Sequence, residues 1–324
     1  MKGKVWKLLG LIFTLIFILL TVHAVYAAGA VIATIPVGSL PWGVAYDSGK
    51  NEIFVANWGS NTVSIISDSS NAVVANVTVG SYPDAVAYDS GKGEIFLANE
   101  VSNTVSVISD SSNAVVANVT VGTMPYGVAY DSGKNEIFVT NYGSNTTSVI
   151  SDSSNKVVAN VTVESGPAGV AYDSGKNEIF VVNEEINTVS VISDSSNTVV
   201  ATVPVQTSPY ALAYDAGKGE VFVASSVYNS VSVISDSSNA VVANVTVGIN
   251  PMGVAYDAGK GEVFVTNLES NTVSVISDSS VVIPEFQPFM LLPLLMMITL
   301  LAAMFVKKKR NAKVTAGRLR DNKQ

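Results

Sequence analysis

The sequence predicts an all-β protein in which six nearly identical sheets of four antiparallel strands follow one another. Three observations lead to this prediction. The tripeptide Ala-Tyr-Asp recurs every 42 residues, each copy holds four short β-type runs between turn-forming residues, and the fourth run is polar on one face. Because the interval never changes, each copy is expected to fill an equivalent place in a rotationally regular object. The six tyrosines are Tyr46, Tyr88, Tyr130, Tyr172, Tyr214 and Tyr256.

The second copy illustrates the four strands. We predict strands at residues 85–88, 95–99, 104–109 and 115–121, because each run is rich in β-branched and aromatic side chains. The intervening segments contain Asp, Asn, Ser and Gly, which supply the left-handed backbone conformations and side-chain hydrogen bonds of tight turns. Each copy is therefore expected to form an antiparallel meander.

The fourth strand is predicted to lie at the outer edge of each sheet. The first three runs are apolar on both faces and need cover on two sides, whereas the fourth carries Asn76 and Thr78 on one face. Its equivalents contain Pro36 and Pro204, and proline cannot donate to a ladder. Sheets of this kind are the blades of a β-propeller. We therefore expect a six-bladed β-propeller at 29–283, its last blade completed by an N-terminal strand at 31–37.

Both ends of the chain are hydrophobic. Lys2, Lys4 and Lys7 precede an apolar run at 8–20, which predicts a signal peptide at 1–27, with an uncleaved signal anchor as the alternative. The apolar run at 289–306 is long enough for a transmembrane helix, and four basic residues follow it. The positive charge places the tail, 307–324, in the cytoplasm and the body at the extracellular face of the cell membrane.

Composition excludes several functions. Residues 29–283 hold seven lysines, no arginine and 24 acidic residues, a net charge of −17, so they repel nucleic acid. The chain has no cysteine, and its single histidine, His23, lies in the signal segment. The commonest general base, metal ligand and thiolate nucleophile are thus missing. We expect no cofactor, no metal site and no enzymatic activity; the alternative is a propeller lyase or hydrolase that uses carboxylate, lysine or tyrosine groups.

Two motifs within the repeat have alternative interpretations. The turn that begins at Asp47 brings Asp47 and Glu52 together and is interpreted as an Asx-type hairpin turn rather than a calcium loop. Five Asn-X-Thr sequons predict glycosylation, or else simply keep the surface polar. Their asparagines are Asn76, Asn118, Asn145, Asn160 and Asn244.

Sequence variation between the copies is greatest in two loops, whereas the other two turns barely change. The entry loop leads into the first strand of each copy, and the middle loop joins its second and third strands. In a meander both lie at the same end of the sheet, and they carry exposed aromatic residues together with Asp84, Glu100, Glu184, Glu185, Met252 and Glu269. We predict a contact surface for protein or glycan, with neutral drift as the alternative. Its aromatic residues are Trp42, Trp58, Tyr82, Tyr126, Tyr142, Tyr210 and Tyr228.

The repeat resembles the YVTN-type β-propeller repeats of archaeal surface-layer proteins. The resemblance rests on a Pro-x-Gly-Val-Ala-Tyr-Asp segment and on the tetrapeptides at 138–141 and 264–267, where Phe replaces the Tyr of the name. Pro284, Glu285 and Phe286 resemble a PEF-type sorting signal, and with the hydrophobic helix they occupy 284–306. The resemblance implies that a transpeptidase cleaves at this signal and replaces the helix with a lipid; an intact membrane anchor is the alternative. The resemblance implies a structural or adhesive module at the cell surface.

Overall fold

The structure is a computed structural model that describes residues 33–277. All regular structure in this range is β-strand, arranged as six antiparallel sheets. The chain divides into two compact units, the first ending at Thr162 and the second beginning at Val163.

The first unit contains three four-stranded sheets, each with its strands side by side in chain order. The first sheet has β1 (Pro41–Asp47), β2 (Glu52–Asn57), β3 (Thr62–Ser67) and β4 (Ala72–Thr78); the second has β5 (Pro83–Asp89), β6 (Glu94–Asn99), β7 (Thr104–Ser109) and β8 (Ala114–Thr120); the third has β9 (Pro125–Asp131), β10 (Glu136–Asn141), β11 (Thr146–Ser151) and β12 (Lys156–Thr162).

The second unit contains two four-stranded sheets and, within the described residues, one of three strands. The fourth sheet has β13 (Pro167–Asp173), β14 (Glu178–Asn183), β15 (Thr188–Ser193) and β16 (Thr198–Pro204); the fifth has β17 (Pro209–Asp215), β18 (Glu220–Ser225), β19 (Ser230–Ser235) and β20 (Ala240–Thr246); the sixth has β21 (Pro251–Asp257), β22 (Glu262–Asn267) and β23 (Thr272–Ser277).

The predicted meander is confirmed: the third strand coincides with its prediction, and the other three differ from theirs by one or two residues at their ends. The first strand begins earlier, at the repeat proline, which has no N–H to place in a ladder. The fourth strand ends before Val121, because the Val121 N–H donates to the Asn103 carbonyl at 3.2 Å instead of to the neighbouring strand. Turn chemistry therefore sets both boundaries.

Neighbouring sheets within a unit pack face to face through apolar side chains. In the first unit, Phe54 and Ile65 of the first sheet lie in one cluster with Ile95, Leu97 and Ile108 of the second, all fully buried. Each such side chain contributes roughly 1.5–3 kcal/mol by leaving water. Phenylalanine is suited to this site, because its ring carries no hydroxyl that would need a partner.

A chain of hydrogen bonds crosses each sheet of the first unit next to this apolar core. The Asn57 amide donates to Ser64 Oγ at 3.0 Å, and the Ser64 hydroxyl donates to Asn76 Oδ1 at 2.8 Å. Asn57 and Ser64 are fully buried, so these bonds replace the water that the polar groups lose. They explain why five of the six copies have Asn at the end of the second strand and all six have Ser within the third.

The fourth strand is the outer edge, as predicted. A bulge interrupts its ladder: Ile65 faces Ala75 and Ile66 faces Val73, which leaves Val74 between them and 52% exposed. Bulges twist an edge strand away from regular pairing and so discourage edge-to-edge association.

The N-terminal strand differs from the prediction. Residues 33–37 contain no strand, and the sixth sheet has only three strands within the described residues. The positions equivalent to β4, one repeat earlier, are 30–36, of which 33–36 are described and 30–32 lie outside the described range. The described residues 33–37 therefore do not supply the predicted fourth strand of the last blade.

Candidate functional site

Backbone hydrogen bonds join the entry loop and the middle loop of each sheet. This agrees with the prediction that both loops lie at the same end of the sheet. In the second sheet the Glu100 N–H of the middle loop donates to the Tyr82 carbonyl of the entry loop at 2.9 Å, and Tyr142 donates to Met124 at 2.8 Å in the third. Successive sheets are linked too, since the Tyr82 N–H donates to Asn61 Oδ1 at 2.9 Å. The variable loops of the first unit thus form one connected surface.

A pocket of about 470 Å³ opens among these loops in the first unit. Its volume is in the range of small-molecule sites. It combines aromatic and apolar walls with two carboxyl groups and has no basic residue in its lining. The lining residues are Leu40, Pro41, Trp42, Trp58, Asp84, Glu100 and Tyr126.

A glycine brings two walls of the pocket together. A Cβ atom at Gly43 would lie 2.1 Å from the Asp84 carbonyl oxygen, a distance that no side chain tolerates. The absence of a side chain at Gly43 lets β1 approach β5 closely, and this approach places Trp42 beside Asp84. Gly43 therefore determines the shape of the pocket although it does not line it.

The entry loops that border the pocket carry backbone strain. Leu40, Tyr82 and Met124 have φ angles of 52°, 56° and 53°, in the left-handed region that bulky residues avoid. The equivalent residues of the fourth and sixth sheets are Gly166 and Asn250, which adopt this conformation at low cost. Strain of this kind concentrates at functional sites.

Aromatic contacts fix the pocket walls. The rings of Trp58 and Tyr82 have centroids 4.2 Å apart and planes tilted by 41°. The Trp58 indole N–H donates to Glu100 Oε2 at 3.2 Å, which satisfies the indole and orients the carboxylate. Trp42 is 58% exposed and is accessible to a ligand.

Asp84 is the most perturbed group of the site. It is 4% exposed and makes no hydrogen bond or ion pair with any residue that the structure describes. Burial, with a smaller contribution from the negative charge of Glu100, raises the pKa of Asp84 to about 7. A carboxyl group in this state exchanges a proton near neutral pH.

The predicted aromatic residues are only partly brought together. Trp42, Trp58 and Tyr126 line the pocket, Tyr82 supports Trp58, and Tyr142 lies with its ring centroid 6.2 Å from that of Tyr126. Tyr210 and Tyr228 belong to the second unit, where Tyr228 is 59% exposed. The first unit thus holds a defined site that contains Trp42, Trp58 and Tyr126.

Sequence reasoning placed Asp84 and Glu100 on the variable loops but did not recognise them as one pair, and it missed Leu40 and Pro41. One signal was present in the sequence. Asp84 is the single acidic residue at its position in the repeat, where the other copies have Trp42, Tyr126, Ala168, Tyr210 and Met252. An acid on an otherwise apolar or aromatic inner strand marks a break in the repeat symmetry.

The opposite end of the sheets has the predicted Asx turns. Asp47 Oδ1 accepts hydrogen bonds from the Gly49 and Lys50 N–H groups at 2.7 and 3.1 Å, and the other copies repeat them. The hydroxyl of Tyr88 in the next sheet lies against this turn, and its burial, followed by the nearby Asp47, raises the pKa of Tyr88 to about 12. These aspartates are structural.

All five sequon asparagines are exposed. Asn76, Asn118, Asn160 and Asn244 lie on outer strands, and each accepts a serine hydroxyl through Oδ1 at 2.8–2.9 Å. This arrangement leaves the amide nitrogen, the atom that a glycan would modify, pointing away from the bond. Asn145 lies in a middle loop with φ of 55°.

The predicted terminal segments lie outside the described residues. They are the signal peptide at 1–27, Pro284, Glu285 and Phe286, the hydrophobic run at 289–306 and the tail at 307–324. Within residues 33–277 there is no helix of the length and apolarity that a membrane span requires.

Comparison with known proteins supports the fold. No protein-family model and no curated protein sequence matches the chain. Among solved structures, the WD40 β-propeller domain of Doa1 is similar with a TM-score of 0.65 at 11% identity, over 76% of this chain and 81% of that one. Kuenenia stuttgartiensis hydrazine synthase is similar with a TM-score of 0.54 at 16% identity, over 78% of this chain and 99% of that one. The chain is therefore an all-β, six-bladed β-propeller, and at these identities the comparisons show the fold alone.

Proposed function

We propose that the protein is an interaction module at the extracellular face of the cell membrane, which binds a protein or glycan through the variable loops of its first unit. The observation that carries this proposal is the pocket of about 470 Å³ lined by Trp42, Trp58 and Tyr126 together with two acids. Exposed Trp and Tyr bury much area at little entropic cost, and they dominate the energetics of contact surfaces.

The sequence supplies the cellular part of the proposal. The segments at 1–27 and 289–306 have the composition of an export signal and a membrane anchor, and the repeat and the PEF-like residues resemble archaeal surface-layer proteins. The exposed sequons on the outer strands are suited to glycosylation. In this proposal the protein is a membrane-anchored surface glycoprotein whose variable loops face the surroundings.

A second candidate function is hydrolysis or elimination in the same pocket. One specific observation favours it: Asp84, whose pKa burial raises to about 7, lies near Glu100, and paired carboxyl groups serve as acid and base in glycosidases. We favour binding, because Glu100 is already engaged by Trp58 and residues 33–277 provide no His or Cys. Turnover of a polysaccharide that is lost in Asp84→Asn would instead establish the enzyme.

The proposal is tested by surface labelling and binding. Antibody against the β-propeller should label intact cells that express the protein. Replacing Trp42, Trp58, Tyr126 and Tyr142 together by Ala should abolish binding of the purified protein to cells, to glycans and to copies of itself, because these rings form the walls of the contact site.

The matched control is placed at the opposite end of the same unit. Ser112→Ala with Ser154→Ala changes exposed turn residues and should leave binding unchanged. Far-UV circular dichroism and the melting temperature identify any variant that fails to fold. Unchanged binding by a folded quadruple variant would refute the role of the first unit.

A further inference from the structure

We infer that the pocket binds a small organic ammonium group, held between the aromatic rings of Trp42, Trp58 and Tyr126 and the carboxyl groups of Asp84 and Glu100. This inference rests on the proposed function, because it names the ligand chemistry of the same site. It is carried by the cavity, by the unpartnered buried acid and by the sign of the charges around it.

The charge balance of the pocket favours a cation. Its lining contains two acids and no Lys or Arg. Asp84 is 4% exposed and has no partner among the described residues. A buried carboxylate without a hydrogen bond or counter-ion is costly. A bound cation would remove this cost, whereas an anion would increase it.

The walls favour an organic cation over a metal ion. Calcium and magnesium require about six or more oxygen ligands, and within residues 33–277 no three acidic or histidine side chains are placed to hold a metal. The remaining lining is aromatic and aliphatic. Aromatic faces attract alkylammonium groups through cation–π interaction while they contact the alkyl carbons.

A neutral sugar fits the same walls less well. It would stack on Trp42 or Trp58, but it brings no charge to Asp84, so that group would have to stay protonated. An ammonium group satisfies the carboxylates and the rings together. Lysine side chains and the amino sugars of surface polymers both carry such a group, and the probes of the titration distinguish these two sources.

Protonation of Asp84 competes with the cation. The titratable groups that face Asp84 are Glu100 from the middle loop of its own sheet and Tyr126 from β9; Trp42 and Trp58, from the first sheet, do not titrate. Because burial raises the pKa of Asp84 to about 7, the carboxylate that attracts the ligand forms as the pH rises through this value. Affinity should therefore increase between pH 6 and pH 8.

The test is a fluorescence titration of the full-length protein in detergent. Two of the three tryptophans of the chain line the pocket, so a ligand that contacts them changes the emission. The probes are tetramethylammonium, Nα-acetyl-lysine methylamide and glucosamine, with neopentyl alcohol as the uncharged control for tetramethylammonium. The relative affinities of the lysine derivative and glucosamine identify the source of the ammonium group.

We expect the cationic probes to bind more tightly than the alcohol, and Asp84→Asn and Glu100→Gln each to weaken them by about tenfold or more. The matched control is Asp68→Asn, since Asp68 is an exposed acid of the same unit that lies in the turn between β3 and β4, at the end of the sheet opposite the pocket. It should bind as the wild type does.

A second variant, Asp84→Ala, is expected to fold because the fourth blade has an alanine, Ala168, at this position of the repeat. Equal affinity for alcohol and cation, or undiminished cation binding by both acid variants, would overturn the inference. If the cationic probes fail while the quadruple aromatic variant still loses cell binding, the proposed function stands and only the ligand class is wrong.

Discussion

At the scale of single residues, Asp84 departs most from the pattern of the repeat. The inner strands of the other blades carry apolar or aromatic residues at this position, and the side chain lies in a pocket without a hydrogen-bond partner among the described residues. Its burial is the main cause of its raised pKa. A buried carboxyl group beside an exposed tryptophan, with no hydrogen-bond partner among the described residues, is better explained by ligand binding than by packing.

The raised pKa of Asp84 predicts a pH-dependent stability. The unfolded chain releases this proton near pH 3.8 and the folded chain near pH 7. Between these values the folded state holds the extra proton, so the free energy of unfolding falls as the pH rises, by a few kcal/mol in all. The contribution is fully present below pH 3.8 and lost above about pH 7. Asp84→Asn should remove it, which urea unfolding of both proteins at pH 5 and pH 8 would measure.

Comparison of Asp84→Asn with the wild type separates the contribution of Asp84 to the pH dependence of stability from the contributions of the other titrating groups. The variant should gain more stability over the wild type at pH 8 than at pH 5, because only the wild type then buries a charge. An equal difference at both pH values would mean that water or a bound ion already compensates the carboxylate.

The aromatic part of the site could be predicted from the sequence, whereas the acid pair could not. Variation among the copies identifies Trp42, Trp58 and Tyr126 as loop residues at one end of the blades. Their convergence on Asp84 depends on how closely β1 approaches β5, and that distance is set by Gly43. Register between neighbouring sheets is a tertiary property, so spacing along the chain does not reveal it.

At the scale of elements, the loops divide into two kinds. At the end of the sheets opposite the entry and middle loops, the turns have Asn or Gly at their left-handed positions. Asn51 and Gly93, for example, have φ angles of 57° and 69°. Entry loops adopt the same conformation with Leu40, Tyr82, Met124 and Ser208. The entry loops therefore share one backbone conformation in all copies. Several copies place at its left-handed position a side chain that disfavours this conformation.

Relief of this strain should stabilise the protein. Met124 has a φ of 53°, and Asn250 has 57° at the equivalent position of the sixth sheet. Asparagine tolerates the left-handed region, so Met124→Asn should raise the free energy of unfolding by about 1 kcal/mol, or about 2–4 °C in melting temperature. Differential scanning calorimetry measures this change.

Met124→Ala is the appropriate control, since it removes the same side chain and keeps the backbone strain. It should be no more stable than the wild type. If the alanine variant gains as much as the asparagine variant, the effect comes from the exposed methionine side chain and not from the backbone.

Strand prediction succeeded where the local sequence decides the structure. The third strand, residues 104–109, coincides with β7, because turn residues bound it on both sides. The predicted N-terminal strand at 31–37 is not bounded by turn residues in this way. A single edge strand forms only by pairing with another strand, and the predicted partner of this one is far away in sequence. Its last residues, 33–37, hold no strand in the structure.

At the scale of the whole molecule, the β-propeller has a large excess of negative charge. Residues 29–283 have a formal charge of −17. Lys50, Lys92 and Lys176 donate to backbone carbonyls across neighbouring turns, and Lys92 also forms an ion pair with Glu94 at 3.0 Å. Self-repulsion therefore opposes the compact state.

This excess charge predicts that salt stabilises the fold. Raising NaCl from 10 to about 300 mM shortens the screening length to below 10 Å, so the melting temperature of the full-length protein should rise by about 2–5 °C. Glu164→Gln with Glu269→Gln removes two exposed charges. This double variant should melt higher than the wild type at 10 mM NaCl and gain less from added salt. A melting temperature that falls with salt, or a double variant with the full wild-type gain, would mean that local ion pairing outweighs the repulsion.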